Sequence, residues 1–182
     1  MSLVIPTDAW LPVIPEITSD PSNRDPDLYL QCCRQFPVET HPRYVMGHTG
    51  HNETYCNIYV ADCTLALGAG IPHWINPKDG TPLAVGRGTE TSANGVCEWL
   101  KNFGPNFGWT EVGVDEAFTS VVAGKPTVIV WENPGGIGHV AMMLPTSRVF
   151  PPHSAQAGAI NFFDEDYRKG FGTYPVKFYT HD

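Results

Sequence analysis

The order in which two periodicities appear along the chain constrains its fold more than any other feature. Up to about residue 123 the periodic segments have apolar side chains at helical spacing, with irregular stretches before and between them. Beyond Pro126 the pattern changes. Thr127-Val128-Ile129-Val130-Trp131 is β-branched and bounded by Pro126 on one side and Asn133-Pro134-Gly135-Gly136 on the other, which predicts a strand. His139-Val140-Ala141-Met142-Met143-Leu144, stopped by Pro145, predicts its antiparallel partner. Weaker strands are expected near Ala155–Ala157 and Val176–Tyr179. Helices first and strands afterwards point to an α+β domain, with an antiparallel sheet packed against N-terminal helices.

The helical segments carry their own start and stop signals. Pro26 to Phe36 reads as a short helix capped by Asp25. Thr54 to Gly68 reads as a buried helix, with apolar Ile58, Val60, Ala61, Leu65 and Leu67 and a glycine stop. Ser92 to Phe103 is expected to close at Gly104, and Val114 to Val122 carries Asp115 and Glu116 at its positive end. Residues 1–27 hold five prolines and read as an extended arm laid over the domain. Residues 69–90 read as irregular, broken by Pro72, Pro77 and Pro82. With 182 residues and no linker or repeat, residues 1–182 are expected to form one catalytic domain with its own core.

Charge and composition remove several function classes. The formal net charge is −8 and the basic residues are scattered, so a nucleic-acid surface is not expected. No apolar run reaches the ~18 residues a membrane span needs, and the N-terminus lacks the basic start and apolar core of a secretory signal. Five cysteines without a Cys-x-x-Cys spacing fit either two disulfides and a free thiol or five reduced thiols.

The residues with chemical potential are Cys56 and His139. Cys56 follows a flexible loop and sits where a helix begins, where free amides and the helix dipole favour a thiolate. His139 opens a strand directly after Gly135-Gly136-Ile137-Gly138, and those glycines are expected to leave an approach to the imidazole. A thiol with an ordinary pKa of ~8.5 needs such a base to become a nucleophile. On placement alone Cys56 reads equally as a buried helix thiol. His48, His51 and Cys56, completed by His139 or His153, form a zinc alternative, though without the tight paired spacing of such sites. Gly86-Arg87-Gly88-Thr89 lacks a strand–turn–helix context and reads as a loop. Trp74, Trp99, Trp109 and Trp131 read as core or cleft wall, and Asp164 with Glu165 as surface.

Tyr55-Cys56-Asn57-Ile58-Tyr59-Val60, then Gly138-His139-Val140-Ala141-Met142-Met143, then Ala155-Gln156-Ala157-Gly158 resemble the NlpC and CHAP families of papain-like cell-wall hydrolases. The likeness runs from about Tyr44 to Phe163. It implies Cys56 as nucleophile, His139 as general base and Gln156 as the residue that orients the imidazole, with Asn161 as the alternative third residue. A Gln156 carbonyl accepting the Nδ1 proton would leave Nε2 facing the thiol. Tyr44 resembles a tyrosine placed near the oxyanion, and Tyr55, directly before the nucleophile, is the other candidate for oxyanion or substrate contact. Asn57 stands where the NlpC pattern favours serine. The resemblance implies a papain-like fold and hydrolysis of amide bonds in peptidoglycan, as amidase or endopeptidase, by a phage lysin, a tail-associated lysin or a secreted effector. The substrate partner would be the peptidoglycan peptide stem at the bacterial cell wall. No metal or organic cofactor is implied. Alternatives are a thiol acyltransferase or deamidase acting on proteins, and a non-catalytic virion or binding module on the same fold.

Overall fold

The computed structural model describes residues 4–47, 53–147 and 149–182. Residues 4–25 contain no helix or strand and lie against the rest of the chain. Ala9 and Val13 are buried in the core, and the Ser19 amide donates to the Ala66 carbonyl at 2.9 Å. Proline-rich chain cannot satisfy itself through a helix ladder, so its amides and apolar side chains find partners on the domain.

Helix α1 spans Pro26–Arg34, opened by Pro26 and capped by the Asp25 carboxylate, which accepts from the Leu28 amide at 2.9 Å. Helix α2 spans Cys56–Ala66 and has no side-chain cap at its start. It stops because Gly68 takes φ +64°, and a Cβ there would come within 2.6 Å of the Ser19 carbonyl oxygen. Strands β1 (Trp74–Ile75) and β2 (Thr89–Glu90) pair antiparallel inside the stretch expected to be irregular. Helix α3 covers Ala93–Asn102, capped by Ser92, and β3 covers Trp109–Val112. Then follow α4 (Val114–Val122), β4 (Thr127–Trp131), β5 (His139–Leu144), β6 (His153–Gln156), β7 (Phe162–Asp166), α5 (Arg168–Phe171) and β8 (Lys177–His181).

Six of these strands form one antiparallel sheet in the order β3-β8-β4-β5-β6-β7. Among the described residues the architecture is α+β, with antiparallel sheets and five α-helices. Two strands depart from expectation. β3 and β7 are polar on one side and mark the sheet's edges, and such short, half-exposed strands leave a weak pattern. The last strand, β8, inserts between β3 and β4, so the chain end closes the sheet's interior. β4 and β5 are buried on both faces, which explains their unbroken apolar runs. Helices α2 and α3 both pack on β5. Among the described residues, no helix is long and apolar enough to cross a membrane.

Candidate active site

Cys56 is the first residue of α2 and is 2% exposed. Because no side chain caps α2, the thiol occupies the helix start: the amides of Asn57 and Cys56 and the Thr54 side chain all reach it. A further amide comes from Val140, the second residue of β5, which brings the sulfur to the strand that begins with His139. Burial pushes the Cys56 thiol above its ordinary value, and those hydrogen bonds oppose the shift without cancelling it. The expectation of a low-pKa thiolate is therefore corrected: the helix start is too dry for a resting anion. All five cysteines are unbridged and buried.

His139 is held from two sides. Its Nε2 lies 2.6 Å from the Gln156 Oε1, on the neighbouring strand β6. The Gln156 amide nitrogen donates to the Ile160 carbonyl at 3.0 Å. A carbonyl only accepts, so this second bond fixes the orientation of the Gln156 amide and directs its oxygen at the imidazole. Nε2 must then carry the proton, and Nδ1 keeps the lone pair. The sequence reading had the two nitrogens the other way round; nothing in the order of residues encodes which edge of a ring meets its partner. The Phe171 ring packs on the imidazole at 4.7 Å between centroids. Burial pulls His139 below its ordinary value, with the Gln156 bond opposing. Both shifts favour the neutral forms, a thiol and an uncharged imidazole.

Two glycines make room for the Gln156 amide. A Cβ on Gly170 in α5 would stand 1.8 Å from Oε1, and one on Gly158 would stand 3.2 Å from Nε2 and 3.3 Å from the His139 Cε1. Neither position nor Phe171 was singled out from sequence. The signal available was the Gly170-Phe171-Gly172 string, where small residues bracket an aromatic one. Gly138 serves a different purpose from the one expected. A Cβ there would stand 2.2 Å from the Asn94 Oδ1, so the glycine admits Asn94 rather than a substrate. Asn94 in turn donates to the Asn133 and Gly136 carbonyls and accepts from the Asn133 amide, all at 2.9 Å, and so ties the β4–β5 turn to α3.

The remaining site residues bond partners other than the imidazole. Asn161 donates to the Val38 and Tyr44 carbonyls at 2.9 and 2.8 Å and accepts from the Gly158 amide at 2.9 Å, so its side chain staples loops together. Gln156, not Asn161, partners His139. Tyr44 is fully buried, and its hydroxyl donates to Asp62 at 2.8 Å. Asp62 lies six residues along α2 from Cys56, about 9 Å of helix rise. The expected place of Tyr44 near an oxyanion is corrected on that geometry. Tyr55 is 2% exposed, donates to the Glu53 carboxylate at 3.3 Å and meets Trp10 edge to face. The Asn57 side chain donates to the Thr91 carbonyl at 2.9 Å. Tyr55, Cys56, Ser92, Ile137 and Trp10 line a cleft of about 340 Å³.

Of the zinc alternative, His48 and His51 lie outside the described residues. His153 faces the Asp164 carboxylate at 2.8 Å, and Asp164 also accepts from the Thr146 hydroxyl. Among the described residues, no three His, Cys, Asp or Glu side chains gather where an ion could be held. Glu165 pairs with Lys169 at the surface. No family model matches the chain, and a search of curated proteins finds no relative.

Proposed function

We propose that the chain is a papain-like cysteine hydrolase that cleaves amide bonds of bacterial peptidoglycan. The observation that carries this reading is the His139–Gln156 bond at 2.6 Å, on the strand whose next amide reaches the Cys56 sulfur. An orphan buried thiol would need none of that. A histidine whose tautomer is set by a doubly anchored glutamine is prepared to accept one proton at one atom. The substrate class rests on the resemblance of the Cys56, His139 and Gln156 segments to the NlpC and CHAP families.

In this reading Cys56 gives its proton to Nδ1 of His139 as the sulfur attacks the carbonyl carbon. The other proton stays on Nε2, donated to the Gln156 Oε1, and that bond strengthens once the ring is charged. Amides at the helix start stabilise the oxyanion, and His139 returns the proton to the leaving amine. Water then takes the acyl group from sulfur by the same route. Starting from a neutral pair, the thiol is activated only as the proton moves, so the resting site is chemically quiet.

Digestion of purified sacculi, with fragments identified by mass spectrometry, tests the proposal. Release of new amino termini or free stem peptides by the wild type, and none by Cys56→Ala, is the expected outcome. Intact sacculi with folded wild-type protein would refute the peptidoglycan assignment.

A further inference from the structure

Beside the Cys56 cleft runs a second cavity of about 230 Å³, between the N-terminal arm, one face of α2 and the segment around β1. Trp10 and Ile58 line both spaces, so the two adjoin at those side chains. The second cavity is walled by Val13, Ala61, Ile71 and Trp74 among others. Around it Leu11, Leu65, Leu83 and Val85 stand 40% to 48% exposed. Leaving four large apolar side chains half in water around one groove is unfavourable unless something covers them.

The groove also contains charge, but that charge is already matched. Arg43 forms a two-pronged pair with Asp62, at 2.8 and 3.2 Å, and donates to the Asp8 carbonyl at 2.6 Å. Tyr44 completes the carboxylate's partners. A floor with its charges so paired offers a ligand neither a free cation nor a free anion. Trp10 itself is fixed by its Nε1 bond to Glu90 at 3.2 Å and by its edge contact with Tyr55. The junction is thus a built wall rather than a loose loop.

We infer that this groove is a specificity subsite taking an aliphatic side chain of the peptide stem that Cys56 attacks. The inference rests on the proposed role of Cys56 and names the substrate feature that site selects. The size fits: a dry apolar cavity of ~150 Å³ already admits a benzene ring. Ala61 lies five residues beyond Cys56, about 7.5 Å along α2 and about 140° round it, so the group must pass Ile58, which lines both spaces. A chain of several methylenes running from the sulfur past Ile58 would end against Ala61.

The test uses N-alkyl iodoacetamides, with the adduct on Cys56 located by mass spectrometry. Sulfur displaces iodide, forming the C–S bond as the C–I bond breaks, and the thiol proton passes to solvent. Each buried methylene is worth about fourfold in affinity, so the N-hexyl reagent should label Cys56 at least about thirtyfold faster than the N-methyl reagent. Ala61→Phe, which fills the groove, and Leu65→Lys, which charges its rim, should erase most of that preference. Both positions are accessible on α2, and melting curves confirm that the variants fold. Equal rates for the two reagents in wild type, or an unchanged preference in both variants, would overturn the subsite. If neither reagent labels Cys56 in folded protein, the nucleophile reading fails instead. The groove is then judged by titrating N-hexylacetamide into Cys56→Ala and following tryptophan fluorescence. Saturable binding lost in Ala61→Phe supports it, and no binding overturns it.

Discussion

Two polar clusters are buried against or beside α2, and they are satisfied to different degrees. Around Arg43, Asp62 and Tyr44 the fork of the guanidinium, the carboxylate and the phenol meet one another and the backbone of the arm. Burial pushes the Asp62 carboxyl up, while the Arg43 and Tyr44 hydrogen bonds pull it down. Around His139 and Gln156, one imidazole nitrogen is committed and the other keeps its lone pair. The first cluster fixes where the N-terminal arm runs. The second holds a base in one tautomer and leaves it a proton to accept. A buried polar group with every partner in place is structural; one poised a single proton short can do chemistry.

The sharpest way to break this comparison is to remove the proposed reactive atoms. Cys56→Ala should abolish fragment release from sacculi, while Cys63→Ala and Cys97→Ala, both buried, should keep the chemistry. His139→Ala should slow turnover by ~10²–10⁴-fold, the usual worth of a positioned general base. Full activity in the Cys56 variant would place both clusters in the structural class.

The next effect concerns stability rather than rate. Asp62→Ala leaves Arg43 charged, buried and without its carboxylate, at an expected loss of ~3–5 kcal/mol in denaturant unfolding. Turnover per folded molecule should remain near wild type at a temperature where the variant stays folded. A large rate loss without destabilisation would show that Asp62 belongs to the chemistry.

Gln156→Ala should do the reverse. It frees the ring's tautomer and orientation, so the rate should fall, by less than His139→Ala costs, with kcat changed more than KM. Gln156→Asn should recover part of the loss by restoring an acceptor. Gly170→Ala should imitate Gln156→Ala, since its methyl group would displace the Gln156 oxygen. Asn161→Ala serves as the contrast: it removes loop hydrogen bonds and should lower the melting temperature while leaving the pH profile unchanged.

The smallest effect lies in that profile. Burial lowers His139 and raises Cys56, so the singly protonated pair persists over a wide range. The acid limb of kcat/KM should fall below the ordinary histidine value of ~6.5, and the alkaline limb above the ordinary cysteine value. Gln156→Ala removes a bond that raises His139, so the acid limb should move lower still. An acid limb above 6.5 would mean that the imidazole is stabilised as a cation by a group other than Gln156.

Much of the local structure is written in short stretches of sequence. Asp25 before Pro26, Ser92 before the third helix and Gly68 after the second mark helix ends by their own backbone chemistry. Thr127–Trp131 and His139–Leu144 announce strands through β-branching and the turn between them. Cys56 and His139 stand out for the same reason, as reactive residues at the starts of such elements, while Gln156 is implied only by the resemblance of its segment.

What the tertiary structure alone decided depends on pairings between residues far apart in the chain. β8 lies between β3 and β4 because the sheet needs its amides and carbonyls matched on both sides, and no local pattern names that partner. That the imidazole nitrogen bonded to Gln156 carries the proton follows from the Ile160 carbonyl, four residues past the glutamine in the loop after β6. Tyr44 turned away from the thiol because a buried carboxylate demanded a third hydrogen bond. Gly138 is small for the sake of Asn94, on a different helix. Propensity and periodicity act within about one turn or one strand, so they determine elements. Desolvation acts on whichever groups packing brings together, and it set the protonation of Cys56 and His139 against what their local sequence favoured.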